Sequence, residues 1–206
     1  MQLELVVVRH GRTEWNAGGR FQGHTDIALD ETGRAQARAI GEFLANDDFD
    51  AAYASDLARA RETAALVLAG RELTAVPDAR WREMRFGVWE GLTWTEIVER
   101  DPQLATRSAT APKFYTPEGG ESFEQCCARV AEALAAIRAN ARDGARVLVA
   151  THAGPLHALL HVALGDSEAA ALRVRFSPAS ITRLLFDGAE ARLGELNRTV
   201  YAETPA

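Results

Sequence analysis

Two stretches of this chain end alike. Residues 3–11 read LELVVVRHG and residues 146–154 read RVLVATHAG, so each is a short apolar run that stops at a histidine with glycine one or two positions beyond. A short apolar run with little polar alternation reads as a strand buried on both faces, and strands of that kind belong to parallel sheets covered by helices on either side. The segments between and beyond them fit that frame. Helical spacing appears after Asp30 (Ala37, Ile40, Phe43, Leu44), after Ser55 as cap (Ala60, Ala64, Leu66, Val67, Leu68), after Thr93 as cap (Ile97, Val98), over Phe123–Ala139, and after THAGP (Leu156, Leu159, Leu160, Leu164). Further strands are expected at Asp50–Ala54, Leu73–Val76, Ser180–Phe186 and Arg192–Leu196. His10–Asp30 and Trp81–Leu92 read as loops. Strands alternating with helices predict an α/β fold, a single-domain three-layer sandwich with a mainly parallel central sheet flanked by helices. Residues 1–206 read as one domain. The stretch around 100–120, with Pro112, Pro117, Gly119 and Gly120, reads as a mobile cap segment.

At 206 residues and 47% hydrophobic, the chain is long enough to bury roughly 70% of its unfolded surface without a disulfide or structural metal. Its net charge of −6 argues against nucleic acid or an anionic membrane as partner, yet leaves room for a small anionic substrate in a locally positive pocket. Cys126 and Cys127 are adjacent, which strains any bridge between them, so free thiols are expected. The start, MQLELVVVRH, has no basic lead-in and too short an apolar run for a signal peptide. No stretch reaches the roughly 20 apolar residues of a membrane span. A soluble, cytoplasmic protein is expected.

In open α/β sheets, ligands lie beyond the carboxyl ends of the strands. His10 and His152 sit at two such ends. Arg9, Arg12 and Arg20 surround the first, and Arg59 follows a third strand end at Ser55. Arginine presents a fork of donors suited to phosphate. Gly11, Asn16, Gln22 and Gly23 add small or amide positions, with Gly11 expected to let the backbone approach a ligand. Together these residues read as an anion pocket with an imidazole inside it.

Six segments then occur in order: RHGRTEWN from Arg9, RFQG from Arg20, SDLARARETA from Ser55, WREMRFGVWEG from Trp81, GESF from Gly120 and THAG from Thr151. They resemble the motifs of the histidine phosphatase superfamily, the phosphoglycerate mutase-like group, over residues 5 to about 186. The resemblance implies a phosphoglycerate mutase-like fold and a metal-independent phosphomonoester hydrolase that acts on small phosphorylated metabolites through a phosphohistidine, with no cofactor. It implies His10 as nucleophile. Arg9, Arg59 and His152 would hold the phosphoryl group, Asn16, Gln22, Gly23, Gly11 and Ala153 would complete the phosphate site, and Glu83 would move the proton. Phosphoryl transfer spreads charge over equatorial oxygens, so positioned cations are its main requirement, and nearby arginines favour the neutral, attacking form of imidazole. Two positions depart from the pattern: Arg12 stands where Glu is usual, at the rim, and Ala153 where Gly is common. Glu90 and Glu14 compete with Glu83 for the acid role.

Other chemistries fit less well. His157 and His161 have an i, i+4 ligand spacing, but Ala158 stands where an H-E-x-x-H site needs its glutamate. There is no P-loop and no G-x-S-x-G elbow. A cofactor-dependent mutase is the alternative within the group, and a non-catalytic phospho-ligand binder of the same fold a more distant one. The short stretch Arg100–Gly120, with only Arg100, Arg107 and Lys113 as basic residues, favours the phosphatase, because a mutase has to seal its pocket over phosphoglycerate. Trp15, Phe21, Trp81, Phe86, Trp89 and Phe114 either line a rim or pack in the interior, and packing is expected for most. Oligomeric state is not legible.

Overall fold

The computed structural model describes residues 1–104, 116–165 and 174–201. In chain order the elements are β1 (Gln2–Arg9), α1 (Glu14–Ala17), α2 (Glu31–Phe43), β2 (Ala51–Ala54), α3 (Ala58–Val67), β3 (Val76–Pro77), α4 (Trp94–Arg100), α5 (Phe123–Asn140), β4 (Ala145–Thr151), α6 (Ala153–Leu164), β5 (Ile181–Asp187) and β6 (Glu190–Arg198). Short 3₁₀ turns at Ala79–Trp81 and Gly87–Trp89 interrupt the aromatic loop.

The apolar run of β1 explains its central place. Leu3, Leu5 and Val7 face one side of the sheet, under Val130, Leu134 and Ile137 of α5 and Leu156, Leu159 and Leu160 of α6. Val6 and Val8 face the other, under Ile40 and Leu44 at the end of α2 and Val67 of α3. A strand wetted on one face would alternate, whereas this one is covered on both. Leu5 through Val8 are wholly buried, and each such side chain contributes about 1.5–3 kcal/mol through burial. The result is the expected three layers.

The sheet runs β3-β2-β4-β1-β5-β6. β3, β2, β4 and β1 pair in parallel, β5 is antiparallel to β1, and β6 is antiparallel to β5. The mainly parallel sheet thus has an antiparallel margin. The register that matters pairs Arg9 with Thr151 and Ala54 with Ala150. It sets His10 and His152 side by side just past the sheet, with Ser55 alongside.

Local outcomes differ from expectation at four places. Ser55 does not cap α3: its N–H still bonds Ala150 O in the sheet at 2.9 Å, and the helix starts after Leu57 with no side-chain cap. The strand expected at Leu73–Val76 pairs only over Val76–Pro77, against Tyr53 and Ala54. Proline there has no N–H for a ladder, which confines it to a short edge. The loop His10–Asp30 contains α1, closed by a capping box between Thr13 and Asn16. β6 runs longer than Arg192–Leu196 at both ends. Asp30, Thr93 and Ser122 do cap their helices. Residues 105–115 of the stretch read as a cap lie outside the described residues. No helix among the described residues is long and apolar enough to cross a membrane. Both cysteines are free thiols, and burial pushes that of Cys126 up.

Candidate active site

His10 is held by backbone before its side chain is considered. Its N–H donates to Thr151 O, and its carbonyl accepts from Ala179 N, both at 2.9 Å. The ring Nδ1 lies 2.7 Å from Gly11 O. A carbonyl only accepts, so Nδ1 carries the proton and Nε2 presents its lone pair. Nε2 makes no hydrogen bond among the described residues. The residue is 1% exposed. Burial first, then Arg59 and Arg9, hold the imidazole well below its ordinary pKa, so at neutral pH it is uncharged.

Gly11 serves this arrangement differently from expectation. Its N–H donates to Thr63 Oγ1 at 3.0 Å, and a Cβ on it would stand 2.4 Å from Gly33 O. The close approach that demands glycine is to the first turn of α2, while the Gly11 carbonyl fixes the tautomer of His10. Thr63 in turn donates to Arg59 O at 2.7 Å, tying α3 to the loop after β1.

Arg59 is wholly buried. Its Nη1 and Nη2 donate to Thr25 O and Gly23 O at 2.9 and 2.8 Å, and Nε points to His152 Nδ1 at 3.2 Å. Burial brings its pKa down to about 10, so it stays charged. Three of its five N–H groups are engaged, which leaves two for a ligand. His152, also wholly buried, precedes α6 and has its Nε2 2.8 Å from Ser55 Oγ. With Nδ1 accepting from Arg59, Nε2 is the protonated nitrogen. Burial first, then Arg59, holds this imidazole well below its ordinary pKa too. The two rings lie 5.0 Å apart, centroid to centroid.

Arg9 donates through Nη1 to Phe176 O. Its Nε is buried with no partner, as is Oε1 of the buried Gln22. Native interiors rarely leave such groups unpaired. A guanidinium N–H left over in this way is a donor suited to an anionic oxygen. Gly23 has φ +53°, and a Cβ there would meet Glu90 Oε1 at 2.1 Å.

The two glutamates of the aromatic loop have different surroundings. Glu83 is 8% exposed, and its Oε1 accepts from Met84 N at 2.8 Å and Gly154 N at 2.9 Å, at the start of α6. Its Oε2 accepts no hydrogen bond among the described residues. Glu90 uses both oxygens: Oε1 accepts from His24 N and Phe86 N, and Oε2 from Thr25 N and Thr25 Oγ1. Burial pushes the pKa of Glu90 up, but those bonds outweigh it and hold the group below its ordinary value. Glu90 shapes the 23–25 turn whose carbonyls hold Arg59. Glu14, exposed, starts α1.

The structure therefore links His10, Arg59, His152, Gly23 and, through α6, Glu83 and Ala153. Asn16 stands apart from these bonds, with Oδ1 taking Thr13 N and Thr13 Oγ1 in the α1 cap. Arg12 is turned to Asp30 and Thr32. His157 and His161 stack edgewise on Phe176 and Phe123, and no group of three His, Cys, Asp or Glu side chains among the described residues could hold a metal. Trp81 is core. Phe21 packs edgewise on Phe86 and Trp89, and Phe114 lies outside the described residues. Three contributors escaped the sequence reading: Ser55 as partner of His152, Thr63 as partner of Gly11, and His24, whose N–H bonds Glu90. Only Ser55 left a signal, since it too follows an apolar strand run.

Residues 5–199 match the histidine phosphatase superfamily (branch 1). The chain is 40% identical to a metal-independent phosphoserine phosphatase of Arabidopsis thaliana over 161 residues, 76% of this chain and 66% of that protein. It spans 54% of a bifunctional Mycobacterium tuberculosis protein, at 36% identity over 201 residues. A 2,3-bisphosphoglycerate-dependent phosphoglycerate mutase of Methylobacterium radiotolerans is 37% identical over 210 residues, 98% of this chain and 99% of that one. Among solved structures, a mycobacterial glucosyl-3-phosphoglycerate phosphatase complexed with VO3 superposes with a TM-score of 0.84 at 32% identity, covering 95% of this chain and 99% of that chain. Sequence, fold and the paired histidines at adjacent strand ends agree, and the chain belongs to the histidine phosphatase superfamily, branch 1.

Proposed function

We propose that this protein is a cytoplasmic phosphomonoester hydrolase, working through a phosphohistidine on His10, without a metal or other cofactor, on small phosphorylated metabolites. The observation that carries this is the state of His10: buried, neutral, its proton fixed on Nδ1 by Gly11 O, and its Nε2 lone pair unbonded, with the buried Arg59 and the half-buried Arg9 close enough to lower its pKa.

In the first step Nε2 attacks phosphorus. The N–P bond forms as the P–O bond to the leaving group breaks, and the leaving oxygen takes a proton from Glu83. In the second, the Glu83 carboxylate takes a proton from water, the water oxygen attacks phosphorus, and the N–P bond breaks to return the lone pair to Nε2. Arg9 Nε and the two unengaged N–H groups of Arg59 stabilise the equatorial oxygens, and being pre-set by Phe176, Thr25 and Gly23 they need no reorganisation. His152 adds its dipole and holds Arg59. Ala153, the first residue of α6, offers its N–H to the same anion at the favourable end of the helix dipole. Asn16, Gln22 and Gly23 complete the phosphate site, the two amide side chains through their N–H groups.

The names of the Arabidopsis and mycobacterial phosphatases support hydrolysis of small phosphorylated metabolites. The full-length match to a phosphoglycerate mutase is the specific observation that keeps mutase activity as the second reading. A panel of phosphomonoesters assayed beside 2- and 3-phosphoglycerate separates the two. Hydrolysis predicts phosphate release faster than phosphoglycerate interconversion, and the reverse order overturns it.

A further inference from the structure

The segment GESF has no part in the two phosphoryl-transfer steps, although its Glu121 pairs with an arginine that reaches the backbone of Glu83. Glu121 forms a forked ion pair with Arg129 of α5, Nε to Oε1 at 2.7 Å and Nη2 to Oε2 at 2.8 Å. The two side chains, of Arg129 and Glu121, are 17% and 13% exposed. The same guanidinium reaches the acid-bearing segment: Nη1 donates to Arg80 O at 2.7 Å and Nη2 to Glu83 O at 3.2 Å. His24 Nε2 is the other donor to Glu83 O, at 2.9 Å. Glu83 is thus held at both ends, its backbone from α5 through Arg129 and its carboxylate from α6 through Gly154 N.

We propose that Arg129, locked by Glu121, is a positioning residue for Glu83 that sets where its carboxylate meets the leaving-group oxygen; this rests on reading Glu83 as the proton donor. A donor must come within about 2.6–3.2 Å of the oxygen it serves, and a misplacement of about 1 Å can cost on the order of 100-fold. Arginine is the residue the geometry needs. It pairs with Glu121 through one edge and still donates to two carbonyls, whereas lysine keeps the charge but concentrates it at one point. His24 shares the task at Glu83 O, so loss of Arg129 loosens the segment without freeing it.

The test compares Glu83→Gln, Arg129→Gln, Arg129→Lys and the Glu83→Gln/Arg129→Gln double variant on p-nitrophenyl phosphate, whose leaving group needs little protonation, and on an alkyl phosphate, whose leaving group needs much. Glu83→Gln should lower kcat on the alkyl phosphate about 100-fold more than on p-nitrophenyl phosphate. Arg129→Gln should show the same bias at about tenfold, with KM little changed, and Arg129→Lys a smaller one. The double variant should be no more biased than Glu83→Gln alone, because Arg129 acts through Glu83. Equal losses on both substrates in folded Arg129→Lys and Arg129→Gln, with the bias of Glu83→Gln intact, overturn the proposal and leave Arg129 a structural residue. A larger bias in the double variant also overturns it. Absence of bias in Glu83→Gln removes the proton-donor reading itself, and the proposal with it. If Arg129→Gln does not fold, Arg129→Lys decides.

Discussion

The ends of β1 and β4 are neighbours in one parallel register and carry the same residue, yet their histidines have opposite bonding states. His10 is bonded at one ring nitrogen and has the other open. His152 is bonded at both, to Arg59 and Ser55. The difference arises in the chain just beyond each strand. After His10 the chain turns through Gly11, packed on Gly33, and the Gly11 carbonyl meets the ring. After His152 a helix begins, and the ring is left between α3 and the Ser55 strand end. Burial and positive neighbours keep both imidazoles neutral, so charge does not distinguish them. Hydrogen bonding does, and it is the ground for proposing His10 as nucleophile and His152 as its support.

The largest effect expected from this contrast is at His10. His10→Ala should lose roughly 10⁴-fold or more in kcat, since no covalent route remains. His152→Ala should lose about 100- to 1000-fold, as for one stabilising donor. Equal losses would erase the distinction between the two ends. Ser55→Ala sharpens it: with the partner of Nε2 gone, kcat should fall only about tenfold, while His10→Ala is unaffected in its phenotype by the further change.

Stability offers a smaller and independent comparison. Both imidazoles have folded pKa values below the unfolded value of about 6.5. As pH falls from there, the unfolded chain takes up protons that the folded site refuses. Stability is therefore fully present above about pH 6.5 and is lost toward lower pH, by up to about 1.4 kcal/mol per pH unit for each histidine. Urea unfolding at about pH 5 and about pH 7.5 should show a smaller loss in His152→Gln than in the parent chain. The same loss in both would contradict the buried, neutral state assigned to His152. The smallest expected effect is none: dialysis against a chelator should leave phosphate release intact, and recovery of lost activity by one divalent metal would contradict cation supply by Arg9 and Arg59.

Much of this was legible in the sequence because burial writes itself into apolar runs and cap residues. The strands around Val6–Val8 and Val147–Ala150, and the helices after Asp30 and Thr93, come from such local rules. The strand ends also marked residues that the fold brings together, His10, His152 and Arg59. What escaped was decided between distant segments. Ser55 looks like a helix cap locally, but the pairing of Ala54 with Ala150 keeps it in the sheet and turns its hydroxyl to His152. Gly11 looks like a ligand-facing glycine until α2 packs against it. Glu83 and Glu90 are alike in sequence, and only the fold shows one with an oxygen open and the other bonded at both. Arg129 lies 46 residues from the carbonyl it holds, a contact no motif spacing announces.

The central claim is that His10 Nε2, and not His152, carries the phosphoryl group. Rapid acid-free quench of the enzyme with ³²P-labelled substrate, followed by peptide mapping, tests it most directly. An acid-labile, base-stable adduct should form on the peptide containing His10, be absent in His10→Asn and still form, more slowly, in His152→Asn. Label on the peptide containing His152, or full turnover in His10→Asn, would contradict it.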